Sequence, residues 1–132
     1  MATASKLINL TPHPLVFYTE PIVTIQSSGQ LRLAFKPQAE MPPFEHDGVA
    51  IPVHMGQSFT GLDETTDGWP VWLANPDAAI VVSMATAQFI AEHVMETGVG
   101  ARQIYSPATD PKNSVRDIKG GLLGALSLER YV

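Results

Sequence analysis

The chain has 132 residues, of which 45% are hydrophobic and 16% charged, and it carries a formal net charge of −5 with no cysteine. That length suits a single domain, 1–132, with one core, and the apolar share is too high for a disordered chain. The lack of cysteine excludes a disulfide framework, a thiolate metal site and a cysteine nucleophile, and makes the cytoplasm the expected compartment.

Residues 1–6 lack the apolar run of a signal peptide. The longest apolar stretch, near Ala78–Ala87, is too short to span a bilayer, so no membrane partner is expected. Leu7–Leu10 reads as a short strand broken by Thr11-Pro12-His13-Pro14, since each proline removes a donor and restrains its predecessor. Leu15–Tyr18 and Ile22–Ile25 read as strands. Ser27–Gln30 is a turn, and Leu31, Leu33 and Phe35 alternate with Arg32 and Ala34 as in a half-buried strand. Residues 15–35 are therefore expected to form antiparallel pairs. Residues 36–48, with Pro42-Pro43, read as a loop. Val49–Met55 reads as an edge strand, because it holds Pro52.

Residues 56–70 read as a second long loop, and Pro70–Leu73 as a short extended piece. Ala79–Val82 is a continuous apolar run, expected to be a strand buried on both faces. Ser83 is an N-cap. A helix over 84–97 follows, with Met84, Ala87, Ala91, Val94 and Met95 on its apolar side and Gly98 as C-cap. Ile104–Ser106 is a strand, and Lys119-Gly120-Gly121 joins Val115–Asp117 to Leu122–Tyr131 in a hairpin. Strands with a segregated helix predict an α+β fold. We expect a small antiparallel or mixed sheet, one main helix on one face and a C-terminal β-hairpin.

Charge is segregated. No lysine or arginine lies between Lys36 and Arg102, while nine acids do. Phosphate-backbone binding needs several cations, so general nucleic-acid binding is excluded from that stretch. An acidic surface facing solvent or a basic partner is expected there, and the low charge overall suits a face covered by a second copy of the chain.

Four motifs, Asn9-Leu10-Thr11-Pro12-His13, Ser28-Gly29, Val81-Val82-Ser83 with Ala87, and Val115-Arg116-Asp117 with Gly120 or Gly121 and Gly124, occur in the order in which they mark a family of short phage, prophage and bacterial proteins. The chain resembles that family over nearly its whole length, with the acidic 56–70 stretch as a departure. The resemblance implies a phage-type accessory protein working in the bacterial host cell, by inhibiting host machinery or capturing host immune signals, and it implies no particular reaction.

No constellation announces catalysis. His46-Asp47 with His54 supplies metal-ligand types without a known metal-site spacing. Ser83 lacks the flanking glycines of a nucleophile elbow. No metal site, cofactor or catalytic residue is expected, and the enzymatic alternative is a small hydrolase using His13 or His46, Asp47 and His54.

Two binding surfaces are expected instead. Asp63, Glu64, Asp67, Trp69 and Trp72 suggest an acidic, tryptophan-bearing face for a host protein, since tryptophan dominates many interface hot spots. Ser83 and Thr86 at a helix N-terminus, with Arg102, Arg116, Asn9, Thr11 and His13, suggest a site for a small phosphorylated nucleotide. A minor structural role in the virion is a further alternative.

Overall fold

A computed structural model describes residues 7–36, 39–56 and 58–132. The opening segment 1–6, with Lys6, and positions 37, 38 and 57 lie outside the described residues. The architecture is α+β, with mixed and antiparallel sheets around one dominant helix.

The central sheet has the order β1 (Leu7–Asn9), β8 (Ala79–Val81), β9 (Gln103–Pro107), β12 (Leu128–Arg130). β1, β8 and β9 run parallel, and β12 pairs antiparallel with β9. Parallel neighbours need a crossover, and the helical segment between β8 and β9 supplies it. As expected, every residue of β8 is buried.

That segment, expected as one helix over 84–97, is two: α2 (Met84–Glu92) and α3 (Val94–Thr97), broken at His93. Of the residues expected on the apolar side, Met84 at the start of α2 and Val94 and Met95 beyond the break are exposed, while Ala87 is buried, as is Ile90. Ser83 caps α2, accepting from the Thr86 amide, and Gly98 ends α3 in the left-handed conformation at φ 65°.

A second sheet has the order β10 (Ser114–Arg116), β11 (Leu122–Ala125), β2 (Leu15–Phe17), β3 (Val23–Ile25). The expected C-terminal hairpin is β10–β11, closed by Asp117, whose carboxylate accepts from the Lys119 and Gly121 amides. The chain beyond it leaves this sheet, and β12 returns to the central one. β2 and β3 pair antiparallel as expected. β4 (Leu33–Phe35) pairs instead with β7 (Phe59–Leu62), inside the expected 56–70 loop.

Residues 36–48 are not a continuous loop either. β5 (Glu40–His46) and β6 (Val49–His54) form a hairpin, closed by Asp47 and Gly48 at φ 49° and 78°. Asp-Gly with both residues at positive φ is the favoured two-residue turn, and it overrides the prolines at 42 and 43. Pro70–Leu73 is not extended but lies in α1 (Trp69–Ala74), where proline occupies the first turn and its missing amide costs nothing.

The core gathers Leu10, Leu31, Trp72, Ile80, Val82, Ala87, Ile90, Val99 and Ile104. Arg102 lies beside it. Its guanidinium stacks 4.1 Å from the Trp72 ring centroid and donates to the carbonyls of Trp72 (2.6 Å), Asn75 (3.0 Å), Gly98 (2.9 Å) and Val99 (3.2 Å). One cation thus adds a charge-assisted donor to carbonyls at and just beyond the ends of α1 and α3, where the helix dipoles are negative. Burial lowers its pKa and Asp77 opposes that shift.

Candidate functional site

The site begins where β1 ends. Asn9 is fully buried, and its side chain uses all four of its hydrogen-bonding positions. Its Nδ2 donates to the carbonyls of His13 (2.8 Å) and Ile25 (3.1 Å), and its Oδ1 accepts from the Thr11 amide (2.9 Å) and hydroxyl (2.6 Å). Ser27 Oγ donates to the Thr11 carbonyl at 2.6 Å. This polar cage replaces the bonds that Pro12 and Pro14 cannot make, and it bends the chain sharply after Leu10.

A second wall comes from residues 30–33. The Leu31 amide donates to the Leu10 carbonyl (3.0 Å) and the Gly68 amide to the Gln30 carbonyl (3.0 Å). The Asp67 carboxylate accepts from the Gln30 amide at 2.6 Å. The two backbones meet so closely that a Cβ on Gly68 would lie 2.6 Å from the Gln30 carbonyl carbon. Leu31 and Leu33 are buried, and the alternation between them holds Arg32 at the surface.

The third wall is the first turn of α2. The Ala87 amide bonds the Ser83 carbonyl (2.9 Å), while the Thr86 amide reaches Ser83 Oγ at only 3.4 Å. The Met84 and Ala85 amides precede the first intrahelical bond, as in any helix. Ser83 and Thr86 hydroxyls lie 3.0 Å apart.

Between these walls lies a crevice of about 450 Å³ that brings together Thr11, Gln30, Arg32, Ser83 and Thr86, with Phe35 and Phe59 along one side. It opens beyond the carboxyl ends of β1 and β8, adjacent parallel strands whose chains depart in different directions, the usual place for a ligand in such sheets. Arg32 is its one charged lining residue among those described, on a chain of net charge −5. The two rings meet edge to face at 6.5 Å between centroids. Phe35 is exposed here, rather than continuing the alternation of Leu31 and Leu33, because the β4–β7 register shifts between Ala34 and Phe35.

Of the residues expected to hold a phosphorylated ligand, the fold therefore unites Thr11, Ser83 and Thr86. Asn9 supports the crevice from beneath. His13 is exposed and does not line it. Arg102 is corrected to a buried cap, since its donors are committed to carbonyls. Arg116 is corrected to a hairpin brace, donating to the Gly120 (3.0 Å) and Thr109 (2.8 Å) carbonyls. Sequence reasoning missed Gln30, Arg32, Phe35 and Phe59. The outward position of Arg32 was legible in the 31–35 alternation, but its nearness to Ser83 was not.

The expected partner face is divided. Trp72 is 1% exposed, so it is a core residue and not a surface anchor. Trp69 is half-buried and packs on the core. Asp63, Glu64, Trp69 and Glu96 line a second depression of about 450 Å³, while Asp67 is spent on Gln30. The Thr65 hydroxyl (2.6 Å) and amide (2.9 Å), with Arg32 nearby, hold the Asp63 carboxyl below the usual carboxylate range.

The histidines do not converge. His46 sits opposite Val49 and His54 opposite Glu40, five residues further along β6. The odd separation puts them on opposite faces of the hairpin, roughly 17 Å apart along it. Among the described residues there is no group of three metal-ligating side chains, and no helix long and apolar enough to cross a membrane. The only side-chain partner of the Ser83 hydroxyl among these residues is Thr86, which offers no base.

The chain matches no protein-family model, no curated protein and no solved structure.

Proposed function

We propose that the chain is a phage-type accessory binding protein that captures a small phosphorylated ligand, a nucleotide, in the crevice between Thr11, Arg32 and the first turn of α2. One observation carries this reading: a helix N-terminus, the Ser83 and Thr86 hydroxyls and a surface arginine converge in a crevice lined by no acid, beside two phenylalanine rings. Amides and hydroxyls at a helix start, with a guanidinium, are the donors a phosphate needs. Phe35 and Phe59 offer faces and edges for a base. The volume falls within the roughly 300–1,000 Å³ of small-molecule sites. Capture would withhold the ligand from the host factor that uses it.

Isothermal titration against a panel of mono-, di- and cyclic nucleotides, with the neutral nucleosides as controls, tests the reading. A nucleotide is expected to bind and its nucleoside not to. Arg32→Ala, at an exposed side chain, is expected to weaken binding about tenfold or more, the worth of one charge-assisted bond. Silence across the panel, or unchanged affinity in Arg32→Ala, refutes it.

The acidic depression of Asp63, Glu64 and Glu96 beside Trp69 supports a second reading, docking of a basic segment of a host protein. If the nucleotide panel is silent and Trp69 fluorescence responds to a lysine-rich peptide, that second reading replaces the first.

A further inference from the structure

The β5–β6 hairpin is an arm. Among the described residues its strands pair only with each other, and it extends the β4–β7 ribbon through the Lys36–Ser58 and Met55–Ala39 backbone bonds. Directly opposed residues share a face. Met41 with Val53, Phe44 with Ile51 and His46 with Val49 therefore form one face, and Glu40 with His54 and Glu45 with Ala50 form the other. Among the described residues nothing covers the apolar face: Phe44 is 63% exposed and Val49 62%. A lone two-stranded hairpin is marginal in water, and an exposed apolar face of this kind marks an interaction surface. Prolines at 42, 43 and 52 interrupt the donors of both strands, so contact must come through side chains and not by strand addition.

The complement lies on the same chain. The β10–β11 hairpin exposes Ile118, Leu122 and Leu123, and is flanked by the exposed cations Lys112, Arg116 and Lys119. Its own acids, Asp110 bonded by Asn113 and Asp117 by the turn amides, keep their charge, so three cations less two carboxylates leave residues 110–123 with a net charge of +1. Beside Leu122 and Leu123 an apolar hollow of about 190 Å³ opens over Val16 and Phe17. A cavity of about 150 Å³ accepts a benzene ring, so the hollow is of a size for the ring of Phe44. The arm holds Glu40, Glu45 and Asp47 with no lysine or arginine, so it approaches this basic hairpin down a favourable field.

We propose that the arm of one copy docks on the β10–β11 hairpin of a second copy, with Phe44 in the hollow beside Leu122 and Leu123. Two-fold symmetry makes the exchange reciprocal, and one dimer then contains the contact twice.

Sedimentation of the full chain across the micromolar range, at low and high salt, provides the test. The wild-type chain is expected to dimerise, more weakly at high salt. Phe44→Ser is expected to be monomeric. Two charge variants sharpen the test: E45K/D47K makes the arm basic, and K112E/K119E makes the receiving hairpin acidic. Each alone is expected to self-associate about tenfold more weakly at low salt, because the arm and the hairpin then repel through the longer-range field, although Glu45 lies on the face away from Phe44. A one-to-one mixture is expected to restore the dimer, since each arm again faces a hairpin of opposite charge. A monomeric wild type, a charge variant that dimerises as well as wild type, or a mixture that fails to associate overturns the proposal. None of these residues lines the nucleotide crevice, so nucleotide titration of the same variants reads the two proposals separately.

Discussion

The central sheet and the β5–β6 arm use similar residues to opposite ends. β8 is Ala-Ile-Val and wholly buried; β6 begins Val-Ala-Ile and is exposed throughout that run. Both have the β-branched content that favours a strand. What separates them is their neighbours. β8 lies between β1 and β9 under the crossover helix, whereas β6 has only β5. Strand propensity made both segments extended, and long-range contacts alone decided which became core. Apolar side chains left outside by that decision identify a surface with work to do.

Substitutions at either end of this contrast should differ widely. Arg102→Ala is expected to have the largest effect, about 3 kcal/mol or more, because four carbonyls lose a charge-assisted donor at once. Chemical denaturation would measure it, and a loss below about 1 kcal/mol would show that water replaces the guanidinium there. Gly68→Ala comes next. Its backbone, at φ −79° and ψ −16°, suits alanine, so any cost comes from the close approach to Gln30 alone. About 1–3 kcal/mol is expected, as for overpacking, together with weaker nucleotide binding as the Arg32 wall shifts. Equal affinity in this variant would separate the wall from the ligand. Phe44→Ser is expected to have the least effect on the stability of the monomer, within about 0.5 kcal/mol. A larger loss at a concentration where the chain is monomeric would mean that the arm folds back on its own molecule.

Much of the candidate site was legible locally. Ser83 as N-cap, the Asn9–Thr11 turn and the outward Arg32 each follow from short-range rules: a side chain bonding an amide three residues on, prolines that demand substitute partners, and strand alternation. Their meeting was not legible. It depends on β1 pairing with β8 across some seventy positions, and on Gly68 touching Gln30, neither of which leaves a local signature. The placement of Arg102 failed for the same reason. An arginine reads as surface until four carbonyls and a tryptophan ring surround it. Proline and acid counts likewise hid the Asp47-Gly48 turn, although that dipeptide was the stronger local signal.

Composition and short-range pattern determined the α+β class, the buried strand at Ala79–Val81, the cap at Ser83 and the end of the helical segment at Gly98 but not its break at His93, and the closing hairpin, because each rests on steric and hydrogen-bonding preferences within a few residues. Tertiary structure alone decided that Trp72 is core, that β4 joins β7 and not β3, that Arg32 rather than Arg102 faces Ser83, and that Phe44 and Val49 stay outside. Those outcomes depend on which surfaces exclude water together, and that is a property of the assembled chain rather than of any segment.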